Sequence, residues 1–148
     1  MKAVLLRSPL ALKSVLEWYS LFDQVKPVVG ERGAVLFCFA ISRANACELC
    51  TTFMRRAITS WGESPEDLQL NPREKLLWDY GTQLAKDANR VSDALYGRLA
   101  AEFQPAEIID LTVFGGLMIV NNIFNSALQI DVDQSLDPYR IQPESYFA

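Results

Sequence analysis

The three cysteines, Cys38, Cys47 and Cys50, are the side chains of this sequence best suited to do chemistry. Cys47 and Cys50 form a C-x-x-C pair within SRANACELCTTFMRRAITSWG (42–62), just after an expected turn at Arg43-Ala44-Asn45 and at the start of an apolar helical pattern. Thiols three residues apart on a helix share a face, near enough to close a short disulfide and exchange it with a substrate or partner. A helix N-terminus adds unpaired N–H groups and a positive dipole end, which favour thiolate over thiol. The spacing alone leaves a second reading open, in which both cysteines are core hydrophobes on a stripe with Met54, Ala57, Ile58 and Trp61. Arg55 and Arg56 project away from that stripe and are expected to be solvated or intersubunit, and Glu48 also points off it. Cys38 reads as a small core residue.

The chain has no histidine. A His general base, a Ser-His-Asp triad and a His-containing metal site are therefore excluded. Three thiolates cannot fill a tetrahedral zinc site within one subunit, so no metal is expected, and no cofactor. The net charge of −4, with scattered basic residues, argues against a nucleic-acid partner. Arg7 and Lys13 interrupt the N-terminal apolar residues, and no run of about 18 apolar residues follows, so neither a signal peptide nor a membrane-spanning helix is expected. With an odd number of cysteines, the expected compartment is the reducing cytoplasm.

The elements that must hold the pair can be read from their caps. A chain of 148 residues, half of them hydrophobic and 22% charged, suits one globular domain over residues 1–148. Ser8-Pro9 opens a helix with an apolar face at Leu12, Val15, Leu16, Tyr19 and Phe22, expected to end near Lys26-Pro27. Glu31–Ile41 is apolar all round and reads as a separate buried helix. After the cysteine helix, which Gly62 should stop, Ser64-Pro65-Glu66-Asp67 reads as a short turn of helix. Asn71-Pro72-Arg73-Glu74 opens a longer one with a capping box. Ser92 caps a helix carrying Leu95, Leu99 and Phe103, and Gln104-Pro105 with Glu107 starts the last, to about Leu128. Gly115-Gly116 within it costs about 1 kcal/mol per glycine relative to alanine, which points to close helix packing. Asn121, Asn122 and Asn125 read as a polar patch tying this helix to a loop. Residues 131–148, with Pro138 and Pro143, read as an extended tail.

Asn45, Cys47 and Cys50 give an N-x-C-x-x-C segment that resembles the signature of the carboxymuconolactone decarboxylase and alkylhydroperoxidase AhpD-like family. That signature has a His four positions after the second cysteine, where this chain has Met54. It also has a Glu twelve positions before the first, where this chain has Val35. The resemblance extends over roughly residues 31–131. It implies an all-α, AhpD-like multihelical bundle with the C-x-x-C at the N-terminus of a helix, assembled as a homo-oligomer, commonly a trimer or hexamer. It also implies Cys47 and Cys50 as catalytic residues, a small-molecule hydroperoxide or disulfide as substrate, and a thiol as electron donor. Two near-continuously apolar helices, around Phe37 and around Leu117, agree with an oligomer, since one small domain is not expected to cover both. Keeping both cysteines without His favours thiol redox over lactone decarboxylation, and favours a weak peroxidase. A non-catalytic oligomeric binding protein with structural cysteines is the alternative.

Overall fold

A computed structural model describes residues 2–141; the expectation at Pro143 lies outside them. Among the described residues there are six α-helices, two short 3₁₀ turns and no strand. They are α1 (Lys2–Leu5), α2 (Pro9–Ala44), α3 (Glu48–Ser60), α4 (Pro72–Asp87), α5 (Asp93–Glu102) and α6 (Pro105–Ala127). The expected caps are in place. Ser8 Oγ accepts from Ala11 N, Asn71 and Glu74 form a reciprocal capping box, Ser92 Oγ accepts from Leu95 N, and Gln104 pairs with Glu107.

The two helices expected here are both present as two arms of α2 that meet at a break, the first reaching Val29 rather than ending near Pro27. Helix α2 runs through Pro27, which removes one backbone donor without ending it. The chain turns instead at Gly30, whose φ of +76° and ψ of 158° leave the helical region, a conformation open to a residue with no Cβ. The break separates an amphipathic arm, 9–29, from a second arm in which every residue from Gly33 to Ser42 is buried.

That second arm is the centre of the protein. It packs against α3, α4 and α6, and two glycines set how close they come. A Cβ on Gly81 of α4 would lie 2.9 Å from the Phe37 carbonyl oxygen, and one on Gly115 of α6 would lie 2.9 Å from Phe37 Cζ. The expected close packing at Gly115-Gly116 therefore holds for Gly115 alone, because nothing lies within 4 Å of a Cβ on Gly116. Trp18 and Phe22 of the first arm and Phe37 of the second all meet Phe114 of α6, with ring centroids 5.1–6.1 Å apart. The aromatic cluster joins both arms to α6 across the kink. Arg32 is bidentate to Glu63 at 2.6 and 2.8 Å and also pairs with Glu74, tying α2 to the loop before α4.

Three other expectations are corrected. The second arm of α2 is covered within one chain, so of the two near-continuously apolar helices only α6 keeps an exposed apolar face. By length and composition α6 is apolar enough to cross a membrane, with a mean hydropathy of 1.4, and its inner face of Ile108, Leu111, Phe114 and Met118 lies in the core. Residues 64–67 make a turn closed by Asp67 N donating to Ser64 O at 3.1 Å, not a helix. The tail is not extended over its described part. Gln134–Tyr139 is a 3₁₀ turn packed on α3, with Val132 and Leu136 buried.

Candidate thiol site

The turn between α2 and α3 places the cysteines. Asn45, Ala46 and Cys47 donate their N–H groups back to Ile41, Arg43 and Ser42 at 3.0–3.1 Å. Ala46 adopts a φ of +51°, a left-handed conformation uncommon for a residue with a Cβ. This reversal makes Cys47 the N-cap of α3, and its Sγ accepts from Cys50 N at 3.3 Å. A sulfur thus occupies the place where Ser, Thr or Asp usually satisfies the first free donors of a helix. All three cysteines are reduced and buried.

The two sulfurs of the pair are driven in opposite directions. Cys47 is pushed down to about 7, first because the Cys50 thiol donates to it, and further by the Cys50 backbone N–H and the Ser126 side chain. Burial and the Glu48 charge oppose this. Cys50 is raised by donating to Cys47, by burial and by the charge on Cys47, while the Asn125 side chain opposes the rise. When the pair carries a single proton, these opposite shifts favour the proton on Cys50 and the negative charge on Cys47. Cys38 lies apart in the middle of α2, where burial pushes its thiol up.

Asn125 of α6 completes the arrangement. Its Nδ2 donates to Cys50 Sγ at 3.2 Å, with both groups buried. Sequence reasoning placed this asparagine in a polar patch and missed its thiol partner. The available signal was its place on the inner face of an apolar helix, since a buried amide requires a partner. Asn122 accepts from Ser42 Oγ at 3.4 Å, which ties α6 to helix α2 and not to the loop expected.

Cys50 lies on the wall of a cavity of about 470 Å³, framed by the first arm of α2, by α3 and by α6. Its lining is mainly apolar, with Leu12, Val15, Leu16, Trp18 and Tyr19 from α2, Phe53 and Met54 from α3, and Met118 from α6. Asn121 and Asn125 bring amides to the same space, and the Oδ1 atoms of both are buried without a protein partner. Met54, at the position of the family His, faces this cavity, whereas Val35 is in the core and does not line it. Asp133 and Leu136 close one side. The segment that carries them is fastened to α3 by Arg140 on Glu48 at 2.7 Å and by Arg55 Nε on the Tyr139 carbonyl at 2.7 Å. Arg55, expected to be solvated or intersubunit, is instead a partly buried anchor that also pairs with Glu66 at 2.5 Å. Arg56 stays on the surface over the Phe53 ring.

Fold and site together describe an all-α, AhpD-like bundle with a reduced C-x-x-C at a helix start. No model of a known family matches the sequence, and no curated protein matches it. The crystal structure of an Agrobacterium tumefaciens protein of unknown function, named for the antioxidant defence protein AhpD, is similar in fold. It superposes with a TM-score of 0.70 at 20% identity, over 88% of this chain and 95% of that one.

Proposed function

We propose that this protein is a dithiol oxidoreductase in which Cys50 reduces a small hydroperoxide and Cys47 resolves the product to a disulfide. The observation that carries the reading is the division of labour between the two sulfurs. Cys47 caps α3 and holds the charge, while Cys50 holds the proton and borders the cavity. The similar Agrobacterium protein, named for antioxidant defence, agrees with it.

The chemistry needs no histidine. The Cys50 proton passes to the Cys47 thiolate, and Cys50 attacks the terminal peroxide oxygen. The O–O bond breaks, Cys50 becomes a sulfenic acid, and the departing alkoxide takes the proton back from Cys47 to leave as an alcohol. Cys47 thiolate then attacks the sulfenic sulfur, the S–S bond forms and hydroxide leaves. Two thiol sulfurs lose two electrons and the peroxide gains them; an external thiol returns the pair to the dithiol. A disulfide substrate would be reduced by the same pair through a mixed disulfide. Because the proton moves uphill from Cys50 to Cys47, the peroxidase is expected to be weak.

Peroxide treatment of the purified protein should remove two thiols per chain, and peptide mapping should link Cys47 to Cys50 with Cys38 still free. A link to Cys38, or no loss of thiol, would refute the redox reading and leave the cysteines as structural residues of a binding protein, a reading that the deep burial of Cys47 favours.

The assembly belongs to the same proposal. Ile109, Val113, Val120 and Ile123 are all exposed and form one stripe along the outside of α6, with the unobstructed Gly116 at its middle. With Gly116 counted, the alternating four- and three-residue spacing is that of a helix seam, and a second copy of the chain is the partner proposed for it.

A further inference from the structure

The cavity contains no lysine or arginine among its described lining residues, and the chain has no histidine, yet the redox cycle requires negative charge on Cys50. We propose that Asn125 is a positioning residue for this chemistry: its buried amide donates to Cys50 Sγ at 3.2 Å, holding the sulfur on the cavity wall and stabilising the thiolate that attacks. The inference rests on the dithiol reading for its purpose, and on the geometry of the α3–α6 contact for its substance.

An amide suits this place where a base would not. An asparagine N–H donates to a thiolate more strongly than to a thiol, so it favours the charged form without itself changing protonation. The orientation of the amide is consistent with that role, because Nδ2 is on sulfur while Oδ1 has no protein partner.

The other titratable groups around Cys50 can be separated from this effect. Cys47 faces it from the start of α3, with Glu48 acting on Cys47; Cys38 acts from α2, which also brings Tyr19 to the cavity; Asp133 comes from the C-terminal segment. Helix α6 brings only Met118, Asn121 and Asn125, none of which titrates. Replacing Asn125 thus removes a hydrogen bond without removing a charge.

The test is made in a Cys47→Ser background, so that Cys50 titrates without its thiol partner. Alkylation of Cys50 by iodoacetamide is followed by mass spectrometry of its peptide from pH 5 to 10, with and without Asn125→Leu or Asn125→Asp. Continued protection of Cys38 reports that each variant is folded. Asn125→Leu is expected to raise the midpoint by about one pH unit, making alkylation about tenfold slower below it. Asn125→Asp keeps the shape but replaces the donor with a carboxylate, and is expected to raise it further. An unchanged midpoint in a folded variant overturns the proposal. A native protein that fails to consume peroxide while these midpoints still move would instead refute the peroxidase reading and leave the Asn125 contact standing.

Discussion

Replacing Met54 with His tests the catalytic reading most directly. Met54 lies one helical turn beyond Cys50 on α3, is buried, and faces the cavity that Cys50 borders. An imidazole there would reach the same space as the reacting thiol. A buried polar ring without a partner costs about 1–3 kcal/mol, but the Oδ1 atoms of Asn121 and Asn125 are unpartnered on the same wall and can accept its N–H. The stability loss should therefore fall at the low end of that range. A positioned general base is worth about 10²–10⁴ in rate. The Cys47 thiolate already serves as an acceptor in the proposed cycle, so a gain nearer the lower figure is expected. Burial lowers the imidazole pKa and the Cys47 charge raises it. Whichever dominates, the new base acts only when neutral, so the added rate should disappear as pH falls through its pKa. Where burial dominates, the unfolded chain binds the extra proton first, and the variant should also lose stability relative to the native protein as pH drops below about 6.5. The assay is single-turnover loss of thiols with excess cumene hydroperoxide from pH 5 to 8, beside a urea titration at each pH. A folded Met54→His protein with an unchanged rate and pH profile would show that no group at this position reaches the reaction, and would refute the cavity as the reaction site.

Other outcomes follow from the same geometry. Thiolate ultraviolet absorbance of the native protein should show Cys47 ionising with a midpoint near the value of about 7 held by the Cys50 contacts, well below a free thiol; a midpoint near 9 would remove the charge assignment. Arg55→Ala breaks the contacts with Tyr139 and Glu66 that hold the C-terminal segment on α3, and should speed alkylation of Cys50. No change would mean that the segment does not limit access. Gly81→Ala drives a Cβ to 2.9 Å from the Phe37 carbonyl oxygen and should destabilise the protein by about 1–3 kcal/mol, whereas Gly97→Ala on exposed α5 meets nothing and should stabilise it by up to about 1 kcal/mol. Denaturant midpoints that fail to separate the two would undercut the close packing of α2 on α4. Light scattering at micromolar concentration should give a mass well above 16.7 kDa, and Val113→Asp with Val120→Asp should lower it; a monomeric native protein would refute the α6 interface.

The helices were legible where a short local rule decides them. Ser8-Pro9, Asn71 with Glu74, Ser92, and Gln104 with Glu107 each satisfy helix donors through neighbours in sequence, and each begins a helix where the residues say it should. The errors arise where distant packing outweighs a local signal. Pro27 lies in the last turn of the first arm, which the contacts of Trp18 and Phe22 with Phe114 hold against α6. Gly30 then makes the turn assigned to Pro27. The C-terminal segment, with its prolines and lack of periodicity, carries no local sign that Leu136 will be buried or that Arg140 will find Glu48, 92 residues away.

The thiol site divides in the same way. Cys47 and Cys50 were visible because their relation is local: three residues, one helix start, one N–H aimed at one sulfur. Asn125 was hidden because its relation to Cys50 spans 75 residues and depends on how α6 and α3 meet around the central arm of α2. That meeting depends in turn on Gly115, whose missing Cβ lets α6 settle against Phe37. Asn125 lies ten residues further along α6 and about 80° around it, still on the buried side of the helix. The glycine that seats the helix in the core thus helps to set the asparagine against the thiol. Gly115→Ala should consequently weaken the Asn125 contact as well as the fold. Its signature would be a raised midpoint for Cys50 alkylation in the Cys47→Ser background while Cys38 remains protected; a destabilised protein with an unmoved Cys50 midpoint would break the link between core packing and the site.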